Sequence, residues 1–226
     1  MVREPHQLPR GRHGLSRSFV AQNQRERILA AVADVTSAAS YAEMTVEDII
    51  VTAGVSRRAF YEHFKNKDDA FLAAYDAVVD QLVGRVAAAG GSEEDPVKRV
   101  SAGLGAFLDF LGREPSFARM CIVEALAAGP EAIQRRNDAM GAFTDLIEQN
   151  VRQFWGDKGP PALTAETVVG GIYEVVYTRV LRGEIRELPD LLPDLTYSAL
   201  LPYVGPEAAA AERLRLAEEV EPRIAT

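Results

Sequence analysis

The stretch from Thr45 to Lys67, TVEDIIVTAGVSRRAFYEHFKNK, restricts this chain more than any other, because it reads as two short helices set at an angle by a glycine turn. Thr45 is placed to cap the first helix, and Asp48 falls in its first turn, where a carboxylate complements the helix dipole. Val46, Ile49 and Ile50 share one face at helical spacing. Gly54 supplies the left-handed conformation needed to leave that helix, Val55 fills the corner, and Ser56 caps the second helix. There Phe60 and Phe64, four residues apart, share the inward face and leave Arg57, Arg58, Tyr61 and His63 outward or flanking. A short helix anchored by aromatics, with two arginines at its N-terminal end, is what a DNA-reading helix-turn-helix requires, since that end meets base edges in the major groove.

The run AGVSRRAFYEHFKNK, with its AGVS opening, small Ala59 and closing Y-x-H-F-x-x-K, resembles the helix-turn-helix of the TetR family of transcriptional regulators. The resemblance is motif-specific from Ile28 to about Phe71; beyond that the chain resembles the family only in being helical and of suitable length. It implies an all-α fold: an N-terminal three-helix DNA-binding domain followed by a larger helical domain for ligand binding and dimerisation. It also implies that Arg57, Arg58 and Ala59 face bases, while Thr45, Ser56, Tyr61, His63 and Lys67 hold phosphates, with Lys65 beside them. Ala59 stands where relatives often carry threonine, so a hydroxyl contact gives way to a thymine-methyl contact.

The net charge of −8 runs against DNA binding until it is divided along the chain. Residues 1–70 hold 10 Lys and Arg against 9 Asp and Glu, and the remainder holds 15 against 24. Residues 1–27 alone carry six arginines and two glutamates. Basic charge therefore gathers where phosphates would be met, and the acidic remainder is repelled from DNA, which orients the protein on it.

Residues 1–18, rich in Arg, Pro and Gly, read as a flexible basic arm. Either Arg10, Arg12 and Arg17 reach the minor groove or phosphates, or the arm is a tail without effect. A helix from Phe19 to about Ala39, with Ile28, Leu29, Val32 and Val35 on one stripe, braces the two that follow, and the DNA-binding domain is set at 19–75. A linking helix, about Asp68 to Ala89, carries the boundary into an effector and dimerisation domain at 76–226. Further helices are expected over about 96–111, 115–127, 130–155, 164–181, 192–204 and 206–220, separated by breaks at Gly112, Gly129-Pro130, 156–161, Gly183 and Gly205-Pro206.

In the second domain Phe107, Leu111, Phe117, Met120, Cys121, Met140, Phe143, Tyr173 and Tyr177 are candidates for an apolar pocket, with Glu124, Asn137 and Tyr173 orienting a guest. Ordinary core packing explains the same stripes, and the pocket itself is an implication of the resemblance. Val168, Gly171, Ile172, Val175 and Val176 form a small apolar face that, with Leu195 and Leu200, fits a four-helix interface between two copies; an internal helix pair is the alternative.

Chemistry for an enzyme is missing from the pattern. The histidines are His6, His13 and His63, none spaced as a metal set, and Cys121 has no evident histidine partner. The glycines fit neither a phosphate loop nor a dinucleotide fingerprint, so no cofactor is expected. No apolar run reaches the ~20 residues of a membrane helix, and a single cysteine fits a reducing compartment, so a cytoplasmic protein is expected. The expected partners are a palindromic duplex operator, a small apolar effector and a second copy of the chain.

Overall fold

A computed structural model describes residues 16–156, 159–161 and 163–224. Helices follow one another along the described chain: α1 Arg17–Ala39, α2 Val46–Ala53, α3 Arg57–His63, α4 Lys67–Gly91, α5 Pro96–Arg113, α6 Pro115–Ile122, α7 Pro130–Trp155, α8 Leu163–Leu181 and α9 Leu192–Ile224. Two 3₁₀ turns, Glu124–Leu126 and Leu188–Leu191, join them, and no strand occurs among the described residues. The residues of the arm, with Arg10 and Arg12, lie outside this description, whereas Arg17 opens α1.

The starts and stops have local causes. Thr45 accepts from the Asp48 N–H at 3.2 Å while the Asp48 carboxylate accepts from the Thr45 N–H at 3.0 Å, a reciprocal cap that satisfies two otherwise orphaned donors. Gly54 ends α2 at φ 60°, ψ 38°, and Ser56 begins α3 by accepting from the Ala59 N–H at 3.1 Å. Asp95 caps α5 with Pro96 in the first helical position. Gly205, at φ 79°, breaks α9 in the middle, so the two helices read around Gly205-Pro206 are two segments of one kinked element.

Three boundaries differ from the sequence reading. The first helix begins at Arg17 rather than Phe19, with Ser16 as its cap. The helix expected over 115–127 stops at Ile122 and tightens into a 3₁₀ turn, which swings Glu124 toward the N-terminal helices. Gly112 does not end α5. A Cβ there would stand 2.9 Å from the Pro189 ring, so glycine lets the helix meet the second 3₁₀ turn.

α1 packs on α2, α4 and α6, while α4 runs on to pack along α5 and α7. One apolar core is continuous through both regions: Ile28, Val32, Ile49 and Phe60 in the head, Phe71 and Tyr75 on α4, and Leu108, Leu111, Met120 and Val176 in the body. α4 thus belongs to both, with its first turn beneath the reading head and its later turns lining the body.

Candidate nucleic-acid interface and effector cavity

On α3 the residues 59, 60, 63 and 64 fall on the inward face, and 57, 58, 61 and 62 on the outward one. The Arg58 side chain is 89% exposed and bonded to Glu62 at 2.9 Å; that of Arg57 is 64% exposed and paired with Glu47 across the turn. Exposed pairs of this sort are worth about 0–1 kcal/mol, so both guanidinium groups are readily exchanged to another acceptor. Tyr61 is half exposed, Lys65 is exposed and His63 is partly covered. Ala59 corrects the expectation of a base-facing residue: it is only 5% exposed, because it shares the face that Phe60 and Phe64 bury. Thr45 and Ser56 sit at the surface, but their hydroxyls already serve as caps.

Lys67 is the second correction. Instead of extending to a phosphate, its ammonium donates to the Tyr41 and Met44 carbonyls at 3.1 and 3.0 Å, and lies 4.9 Å from the centre of the Tyr41 ring. The α1–α2 turn presents carbonyls that need donors, and the first residue of α4 supplies one.

Tyr41, absent from the sequence reading, is where the head is fastened to the body. Its N–H donates to Glu124 at 2.9 Å, its carbonyl accepts from Lys67, its hydroxyl donates to Asp68 at 2.5 Å, and its ring meets Phe71 edge-on at 4.9 Å. Burial, and next the Asp68 carboxylate, push the Tyr41 phenol well above its ordinary pKa. Glu124, expected in the pocket, is instead buried at this junction and shared with Arg119 at 3.2 Å. Its carboxylate needs donors once out of water, and the turn N–H supplies one. Arg27 from α1 adds a further clamp by donating to the last carbonyls of α2 at Ala53 and Gly54.

A cavity of about 360 Å³ opens between α4, α5, α7 and α8. Phe107, Cys121, Met140, Phe143 and Tyr173 line it. Phe107 and Phe143 meet edge to face at 5.6 Å, and the Tyr173 hydroxyl donates to the Ile122 carbonyl at 2.8 Å. Burial pushes the Cys121 thiol up to about 12, so it stays protonated and behaves as a small apolar wall. Leu111 and Met120 are corrections, lying 1% and 0% exposed in the core beneath the wall. Phe117 and Tyr177 pack against that core, and the Tyr177 ring stacks on that of Tyr173. Asn137 is exposed on α7 and accepts from Arg136. The sequence reading missed Tyr75, Leu104, Arg136 and Asn150, all of which line the cavity. A lone arginine or asparagine on an amphipathic helix carries no mark of facing inward.

The small face of α8 divides in two. Val168 is partly covered, Gly171 and Val175 are exposed, Ile172 turns into the cavity, and Val176 is fully buried. Leu195 and Leu200 are buried within the chain as well, leaving Leu201 as the exposed leucine of that stretch of α9. Ile172, Val176, Leu195 and Leu200 are therefore corrected as direct interface candidates, because the one-helix period that makes a stripe also decides which half of it the chain's own core takes. The outward half runs through Leu163, Thr167, Gly170, Gly171, Glu174 and Val175. A Cβ added at Gly170 or Gly171 would meet nothing within 4 Å, so no neighbour inside the chain requires either glycine.

Among the described residues no group of His, Cys, Asp and Glu gathers to hold a metal, and no helix is long and apolar enough to cross a membrane.

Residues 28–74 match the model described as bacterial regulatory proteins, tetR family. The chain is 25% identical over 167 residues to the HTH-type transcriptional activator FasR of Mycolicibacterium smegmatis, covering 74% of this chain and 75% of that one. It is 26% identical over 136 residues to the nucleoid occlusion factor SlmA of Shewanella loihica, covering 60% of this chain and 68% of that one. In fold it is similar to the fatty acid degradation regulator FadR from Bacillus halodurans, with a TM-score of 0.70 at 17% identity over 77% of this chain and 97% of that one. Residues 28–74 thus match the DNA-binding domain of the TetR family of bacterial transcriptional regulators, and the helical body is similar to FadR in fold.

Proposed function

We propose that this regulator acts as a homodimeric repressor, binding a palindromic operator through α3 and releasing it when a small, largely apolar molecule fills the cavity. Residues 19–75 form the DNA-reading unit, with Arg57 and Arg58 reading bases and Tyr61, His63 and Lys65 meeting phosphates. Residues 76–226 hold the effector and pair the two copies. The observation that carries this reading is that one helix serves both sites: α4 lines the cavity with Tyr75, Val79 and Leu82, and its first residue, Lys67, pins the turn in front of α2. A guest that moves α4 moves the head, and it weakens DNA binding only by its differential affinity for the two arrangements.

Pairing is placed on the outward half of α8, centred on Gly170, Gly171 and Val175. Glycine in a helix interior costs about 1 kcal/mol relative to alanine, and a helix from a second copy lying close against Gly170 and Gly171 offsets that cost. Two-fold pairing would set the two α3 helices about one DNA turn apart. The relative FasR, named as an activator, favours a second reading in which the bound protein turns transcription on.

The test is selection of random duplex DNA by the purified chain, with its mass in solution measured alongside. Enrichment of a palindrome by a dimer is the expected result. A folded protein that enriches nothing at low salt would end the proposal. Transcription from a promoter bearing that operator, with and without the protein, then separates repression from activation.

A further inference from the structure

Of the charged groups lining the cavity, Arg99 is fully occupied by the protein. Its guanidinium donates to the Glu93 carbonyl at 3.2 and 2.8 Å and to Gln153 at 3.1 Å, and it lies over Phe154. Arg136 is different. Its carbon stands 4.1 Å from the centre of the Tyr173 ring, one terminal nitrogen donates to Asn137 at 3.1 Å, and its Nε is buried with no hydrogen-bond partner. Among the described residues it forms no ion pair, whereas its neighbour on the same helix, Arg135, is paired with both Asp76 and Glu131. The two adjacent arginines thus separate, one answered by carboxylates on the outside and the other turned into an apolar cavity with a ring face, a neutral phenol and an amide for company.

A cation drawn partly out of water without a counter-charge is unfavourable, and a guanidinium presents a fork that matches a carboxylate. Around it stand the hydroxyls of Tyr75 and Tyr173 and the neutral thiol of Cys121, none of which carries an anion at neutral pH. The far walls are Leu104, Phe107, Met140 and Phe143, which offer dispersion and area but no hydrogen bond.

We propose that the cavity takes an amphipathic carboxylate, its anionic head on the Arg136 guanidinium and its apolar body along Leu104, Phe107, Met140 and Phe143. This rests on reading the cavity as the effector site and names the chemistry of the effector. A neutral molecule of equal shape fills the same apolar space but leaves Arg136 unanswered, so it binds more weakly. Selectivity for the ionised head is thus the signature of this arrangement.

The experiment uses the full chain, with Nile red as a neutral reporter of cavity occupancy. Straight-chain carboxylates from octanoate to hexadecanoate, below their aggregation limits, compete against alcohols of the same lengths. At least one carboxylate should displace the dye at about tenfold or more lower concentration than its matched alcohol, the range expected of a charge-assisted hydrogen-bonded pair. Arg136→Gln should close that gap without changing the alcohol curves, and Arg136→Lys should keep part of it. Because Arg136 lacks an internal counter-charge, Arg136→Gln should melt at or above the wild-type temperature; a large drop would show a structural arginine and overturn the proposal. Equal curves for carboxylate and alcohol at every length, or a gap that survives in Arg136→Gln, overturn it while leaving the effector site standing. A chain that binds neither the dye nor any carboxylate removes the effector site and this proposal with it.

Discussion

Arg57 and Arg58 carry the sharpest prediction at the scale of single residues, since each is exposed and held only by a weak surface pair. Replacing either with alanine should cost about 1–3 kcal/mol on the operator and relax sequence preference, as read by titration against matched and mismatched duplexes. An unchanged preference in both variants would remove them from base reading. Lys67 behaves otherwise. Lys67→Met strips the Tyr41 and Met44 carbonyls of their donor, so the loss should appear as about 1–3 kcal/mol of folding stability in a denaturant titration, not as a uniform fall in DNA affinity of a stable protein. The motif made Arg57, Arg58 and the caps legible, because a cap and an outward arginine are decided within four residues. Lys67 is not legible in this way, because the Tyr41 and Met44 carbonyls it meets lie in a turn distant in sequence, whereas Ala59 follows the buried face of Phe60 and Phe64.

Among the elements, α4 and the turn at Tyr41 matter most, because head and body are both fastened to them. Helix positions were readable through glycine, proline and periodicity, and α4 was readable as the shaft. The fastening was not: Glu124 sits 83 residues from Tyr41, and nothing in a periodic pattern announces that bond. Asp76, bonded to Arg135, ties α4 to α7 beside the cavity. In Asp76→Asn the effector should still bind and the operator should still be bound, while the coupling between them, about 1–3 kcal/mol in proteins of this sort, shrinks. Operator titrations with and without effector measure it directly. A second tie joins α5 to α9, where Glu212 accepts from Ser101 at 2.6 Å and is paired with Arg215 at 2.7 Å. Arg215, and to a lesser degree Ser101, hold the Glu212 carboxyl below its ordinary pKa. Its contribution is therefore present above the unfolded carboxylate pKa and is lost as pH falls through the lower, folded value. Glu212→Gln should unfold less steeply with acid than the wild type, in melting curves collected down through that range.

For the whole molecule, pairing decides whether two α3 helices act as one reader. Val175→Glu places a charge on the outward half of α8, and the expected outcome is a lower mass in solution together with a steep loss of operator binding, the chain remaining folded by circular dichroism. A variant that stays dimeric would place the interface elsewhere. Sequence alone showed that α8 is small and apolar. Which half of it faces out could not be read, because the cavity and α9 compete for the same stripe. The unbroken core from Ile28 to Leu195 bears finally on how the protein comes apart. Without a seam between head and body, heat should undo both in one cooperative transition. An effector that dislodges the protein from DNA should then also raise the melting temperature of the very helices that let go, by mass action on the folded chain. Scanning calorimetry should therefore show a single peak that moves upward with effector, release from DNA and toughening against heat being two faces of one binding event.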